Sequence, residues 1–105
     1  VTKDLNKAKE WYTKSADQEN SAALCNLGYC YELGEGVDQD VAKAFELYEQ
    51  SALLGDSTAM YNLGNCYKCA RGVLKDLEKA KEWYTKAVGK GYVNAQTVLD
   101  ELNAA

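Results

Sequence analysis

Lys7–Lys14 reads KAKEWYTK, and the same eight residues return at Lys79–Lys86, 72 positions later. A catalytic site gathers unlike residues in one place, whereas a repeated word marks repeated architecture. Halving the interval tests this. Lys43–Gln50, 36 residues from either copy, reads KAFELYEQ, a looser version of the same word. The period is therefore 36 residues, and three copies are present. Such a period belongs to stacked units that bury their apolar faces only against a neighbour.

Working outward, Asp4–Gln39 laid over Asp40–Lys75 matches at 16 of 36 positions without a gap. Matches in the first half include Asp4/Asp40, Lys7/Lys43, Ala8/Ala44, Tyr12/Tyr48 and Ala16/Ala52. The second half keeps Ala23/Ala59, Asn26/Asn62, Leu27/Leu63, Gly28/Gly64, Cys30/Cys66, Tyr31/Tyr67, Gly36/Gly72 and Val37/Val73. A third copy starts at Asp76 and stops at Ala105, six residues short of a period. One domain is expected over 1–105, divided into a short tail at 1–3, repeats at 4–39 and 40–75, and a capping partial repeat at 76–105.

Each copy divides into two helices. Ala8, Trp11, Tyr12 and Ser15, like Ala44, Leu47, Tyr48 and Ser51, recur at three- and four-residue spacing and share one helix face. Asp4, Asp40 and Asp76 stand just ahead, where a carboxylate accepts from unpaired N–H groups. The second helix carries Ala23, Leu27, Cys30 and Tyr31 on one face, with Ser21 and Ser57 as expected N-caps. Gly34-x-Gly36, or Ala70-x-Gly72 in the next copy, ends it. Connections this short predict antiparallel pairs, about six helices in all.

Gly28 and Gly64 lie inside helices, where Gly costs about 1 kcal/mol relative to Ala. Close approach of a neighbouring helix accounts for them, with Ala8-type positions as the expected other surface. In the last copy Asp100 stands at the glycine position and Asn103 at the Tyr31/Tyr67 position, as a polar terminal cap requires.

Composition excludes several function classes. The net charge of −4 argues against a general nucleic-acid binder, because phosphate contacts need clustered Lys and Arg. Apolar runs are too short for membrane insertion. Histidine is absent, which removes the commonest general base and the commonest metal ligand. Cys25, Cys30, Cys66 and Cys69 fall within helical pattern and read as reduced packing thiols in a cytoplasmic setting. Cys66-x-x-Cys69 lacks the second ligand pair that structural zinc requires, so no metal or cofactor is expected.

The pattern Ala23-x3-Leu27-Gly28-x2-Tyr31-x2-Gly34-x-Gly36-Val37, followed by Asp40-x2-Lys43-Ala44, resembles the Sel-1-like repeats, relatives of the tetratricopeptide repeats. The resemblance covers the whole chain, with departures at Ala70 and in the degraded helix at 94–105. It implies an all-α, right-handed superhelical stack that brings proteins together without chemistry of its own. Because Val1–Lys3 aligns with Val37–Gln39, the expectation is a fragment of a longer array ending at its natural C-terminus.

Positions that change between copies are the candidate partner-binding residues. On the glycine-bearing helix they are Ala22/Thr58/Asn94, Cys25/Tyr61/Thr97, Tyr29/Asn65/Glu101, Glu32/Lys68 and Leu33/Cys69, spaced as one face. The resemblance implies that this face lines a concave groove for a partner's peptide or helix. Tyr29 and Tyr61 are the expected anchors, since aromatics combine large contact area with a polar tip. Glu32 and Lys68 are expected side by side. Two other classes compete: self-assembly through the open, N-terminal end of the stack, and an enzyme or cell-wall-ligand binder like the family's secreted, cysteine-rich branch. That branch pairs cysteines where this chain has Ala16 with Leu24 and Ala52 with Met60. Glu10, Glu46 and Glu82 recur as a solvated face instead of a facing catalytic pair.

Overall fold

Asp40 and Asp76 do what their positions require: their carboxylates accept from the Lys43 and Lys79 backbone N–H groups at 3.0 and 3.1 Å. Each starts a helix. The computed structural model describes residues 20–104 and contains helices α1 (Ser21–Leu33), α2 (Val41–Leu53), α3 (Ser57–Cys69), α4 (Leu77–Gly89) and α5 (Asn94–Ala104). Among the described residues there is no strand. The expected first helix, with Asp4, Ala8, Trp11, Tyr12, Ser15 and the first KAKEWYTK, lies outside the described residues. Ala16 and Glu10 lie there too.

Ser21 and Ser57 are the first residues of their helices rather than the caps. The cap of α3 is Asp56, which accepts from Ala59 N–H at 2.9 Å, and Asn20 holds that position for α1. For α3 the physical reason is reach: Asp56 has left helical geometry, so its short side chain turns back onto the N3 amide. Ser21 is instead buried, and its carbonyl accepts from Ser51 Oγ across the helix pair at 2.5 Å.

The helix ends repeat as well. Gly34 stops α1 at φ 75°, and Ala70 stops α3 in the same left-handed conformation at φ 56°. The loops that follow close identically, with Asp40 N–H on Tyr31 O and Asp76 N–H on Tyr67 O, both at 2.9 Å. Two loops of one shape thus stack at one edge of the molecule.

Helix α1 packs most extensively on α2, and α3 on α4; α2–α3 and α4–α5 contacts join the pairs. Repeat-equivalent residues fill the interior: Leu27 and Leu63, Ala44 and Ala80, Tyr48 and Tyr84, Ala59 and Ala95 are all buried. Each such Leu contributes about 1.5–3 kcal/mol by leaving water. Leu24, Ala52 and Met60 are buried apolar residues.

Close approach explains the helical glycines, but the surface that meets them is mainly a ring. A Cβ on Gly28 would stand 2.9 Å from Tyr48 Cε1 and 3.3 Å from the Ala44 carbonyl oxygen. On Gly64 it would stand 2.6 Å from Tyr84 Cε1. The alanine is adjacent; the tyrosine occupies the space.

Candidate interaction surface

The tyrosine rings that cross Gly28 and Gly64 carry their hydroxyls to polar side chains of the glycine helices. Tyr48 donates to Glu32 Oε1, and Tyr84 donates to Asn65 Oδ1, each at 2.5 Å. A buried hydroxyl needs an acceptor. The first repeat supplies one at position 32. Its counterpart Lys68 has only donors, so Tyr84 turns to Asn65, the counterpart of Tyr29. Two varied positions on the candidate stripe, Glu32 and Asn65, therefore serve the core as well as the surface. Burial is the chief reason both tyrosine pKa values rise; for Tyr48 the Glu32 carboxylate adds to it.

Glu32 Oε2 also accepts from Arg71 Nη1 at 2.5 Å, linking one repeat to the loop of the next. The partner of Glu32 is thus Arg71, with Lys68 one turn earlier on α3. At 35/71, as at 32/68, an acidic residue in one copy becomes basic in the next, Glu35 to Arg71 and Glu32 to Lys68. That reversal was the sequence signal for a cross-repeat ion pair.

The remaining stripe residues divide by environment. Ala22, Tyr29 and Leu33 on α1, Thr58 and Cys69 on α3, and Asn94, Thr97 and Glu101 on α5 are exposed. Tyr29 is 51% exposed and Leu33, one turn on, 48%. Cys25 is buried between α1 and α3, where Asn62 Nδ2 reaches its sulfur at 3.6 Å. Tyr61 is half-buried: its ring stacks on Tyr92 at 4.9 Å and tilts against Tyr84 at 5.7 Å. The stripe has one open aromatic and one braced aromatic.

The four cysteines are unpaired thiols. Burial pushes the Cys25 and Cys66 thiols up to about 12, and Cys69 is exposed. Among the described residues no cluster of three or more His, Cys, Asp or Glu is placed to hold a metal. Glu46 and Glu82 lie exposed, and Glu46 meets Lys43 at 3.9 Å. No described helix is long and apolar enough to cross a membrane.

Residues 1–20, 21–56 and 57–92 each match the Sel1 repeat. The chain belongs to the Sel1 repeat family. Two of these units are 36 residues long and coincide with the helix pairs α1–α2 and α3–α4. Among solved structures, a Sel1 repeat protein from Oxalobacter formigenes is 37% identical, with a TM-score of 0.80, over 91% of this chain and 72% of that one. The protective antigen c5321 of uropathogenic Escherichia coli, which displays the same fold, is 36% identical with a TM-score of 0.75. That match spans 88% of this chain and 20% of the antigen. Cysteine-rich protein B of Helicobacter pylori shares the fold at 24% identity, with a TM-score of 0.72, over 94% and 97% of the two chains. No curated protein matches the chain. Sel1 repeats form a helical scaffold of a type that binds other proteins and is generally non-catalytic.

Proposed function

We propose that this Sel1 repeat chain is a non-catalytic adaptor that holds a peptide or helix of a partner protein along the stripe on α1, α3 and α5. The supporting observation is Tyr29. It is exposed beside Leu33 on one helix face, whereas Tyr48 and Tyr84 are buried as packing residues. An exposed aromatic next to an aliphatic side chain offers apolar area that folding leaves unused. Tyr61 extends the surface into the next repeat, held in place by Tyr92. A pre-positioned ring loses less entropy on binding than a free one. Thr58 and the α5 residues Asn94, Thr97 and Glu101 complete the polar rim, the small Ala22 lies at its α1 end, and the thiols remain reduced in a cytoplasmic setting.

The test is paired measurement of affinity and unfolding, using a partner captured with this chain and then purified. Tyr29→Ala should weaken binding by about 2 kcal/mol, near thirtyfold, and leave the unfolding midpoint within about 0.5 kcal/mol of wild type. Tyr61→Ala should reduce both, because its ring also packs on Tyr84 and Tyr92. Leu63→Ala is the structural control, losing about 2–5 kcal/mol of stability. Unchanged affinity for a folded Tyr29→Ala protein would move the partner to the α2 and α4 side.

A further inference from the structure

At the loop edge, where the stripe ends at Glu32 and Leu33, a hollow of about 280 Å³ opens between the last turn of α1 and the first turn of α2. Glu32, Leu33, Gln39, Val41 and Arg71 line it. We propose that it is a side-chain pocket for an extended segment of the partner, taking one large aliphatic residue that is flanked by Lys or Arg. This rests on the adaptor reading and adds Gln39, Val41 and Arg71 to its surface.

The walls fit an apolar side chain. Leu33 and Val41 line the hollow and remain 48% and 37% exposed after folding. The polar groups fit a main-chain amide. Both oxygens of Glu32 already accept, from Tyr48 and Arg71, so that carboxylate is committed to the fold. Gln39 gives its amide nitrogen to the Glu32 carbonyl at 2.8 Å, leaving its side-chain oxygen as an acceptor. Arg71 uses one N–H on Glu32, and its other N–H groups have no acceptor among the described residues. One acceptor and one donor flank two apolar walls, which is the complement of a peptide unit beside its side chain.

Charge selects the flank. The Arg71 guanidinium is already neutralised by Glu32, which favours a neutral peptide carbonyl over a carboxylate on its free N–H groups. Gln39 also lines an adjoining hollow of about 660 Å³ over Gly36, Val37, Asp38 and Asp40. Asp38 and Asp40 are exposed there and make no ion pair among the described residues. A segment leaving the pocket in this direction meets negative charge, so a basic neighbour is attracted and an acidic one repelled.

The test uses the isotopically labelled chain and the capped peptide acetyl-Gly-Lys-Lys-Leu-Gly-Ser-amide at millimolar concentration. Two control peptides replace the Leu by Ser or both Lys by Glu. Amide shifts should centre on Leu33, Gln39 and Val41, with the Arg71 side chain following. Each control should bind about tenfold more weakly. Leu33→Ser and Gln39→Ala alter exposed side chains and should weaken the Leu peptide about five- to tenfold while the rest of the spectrum is unchanged. Absence of shifts at the loop edge, or equal shifts with the Ser or Glu peptide, would overturn the pocket. Shifts centred on Tyr29, Tyr61 and Asn65 would also overturn it, while leaving the adaptor reading in place.

Discussion

Gly64→Ala adds a single methyl group at the tightest helix contact described. The new carbon would stand 2.6 Å from Tyr84 Cε1 and 2.8 Å from Cδ1, against about 3.5–4.0 Å for relaxed carbon contacts. An overlap near 1 Å has to be relieved by moving the ring. The ring is poorly placed to move: Tyr84 is fully buried and its hydroxyl is held by Asn65 at 2.5 Å. Overpacking costs about 1–3 kcal/mol, and disturbing the hydroxyl bond adds about 1. Against this, Ala gains about 1 kcal/mol of helix propensity over Gly. The contact wins, with a net loss of about 2 kcal/mol. Gly28→Ala, where the nearest carbon is 2.9 Å away, should lose less. Gly89→Ala supplies the opposite sign, because a Cβ there meets nothing within 4 Å and only the propensity gain remains. Urea unfolding followed by far-ultraviolet circular dichroism measures all three. In melting, Gly64→Ala should fall by roughly 8 °C, at about 4 °C per kcal/mol for a domain of this size. A Gly64→Ala protein as stable as wild type would refute the argument. So would an equal loss in a Tyr84→Leu background, since the two sites are expected to couple.

Ala70 holds the left-handed C-cap of α3 at φ 56°, where a Cβ is strained, so Ala70→Gly should stabilise the chain by about 1 kcal/mol in the same urea assay. A lower or unchanged midpoint would show that the loop relieves the strain. In denaturant without reductant, four thiols should titrate with a chromogenic disulfide; in the folded chain exposed Cys69 should react first and buried Cys25 and Cys66 last. Cys25 and Cys66 have folded pKa values raised from 9.0 to about 12, chiefly by burial, so the stability they contribute is intact below pH 9 and lost as pH rises from there toward 12. A urea midpoint that stays level through this interval would contradict their burial.

The 36-residue period was legible because every repeat meets the same packing demand. Equivalent residues then recur: Leu27 with Leu63, Ala44 with Ala80, Tyr48 with Tyr84. The Asp40 and Asp76 caps were legible for a related reason, since a capping bond closes within three residues and needs no tertiary partner. A mid-helix glycine likewise announced close approach by its propensity cost alone. What periodicity fixes is the face on which a side chain lies. It does not fix how far a neighbouring side chain extends across that face, which depends on how the two helices cross. Only the tertiary structure therefore placed the Tyr84 ring over Gly64, turned its hydroxyl to Asn65 because Lys68 has no lone pair to offer, and joined Glu32 to Arg71. The same limit hid Cys25, which varies between copies like a surface residue yet is covered where α3 lies beside α1. Local bonds and shared periods are written along the chain; contacts between repeats come from its folding in space.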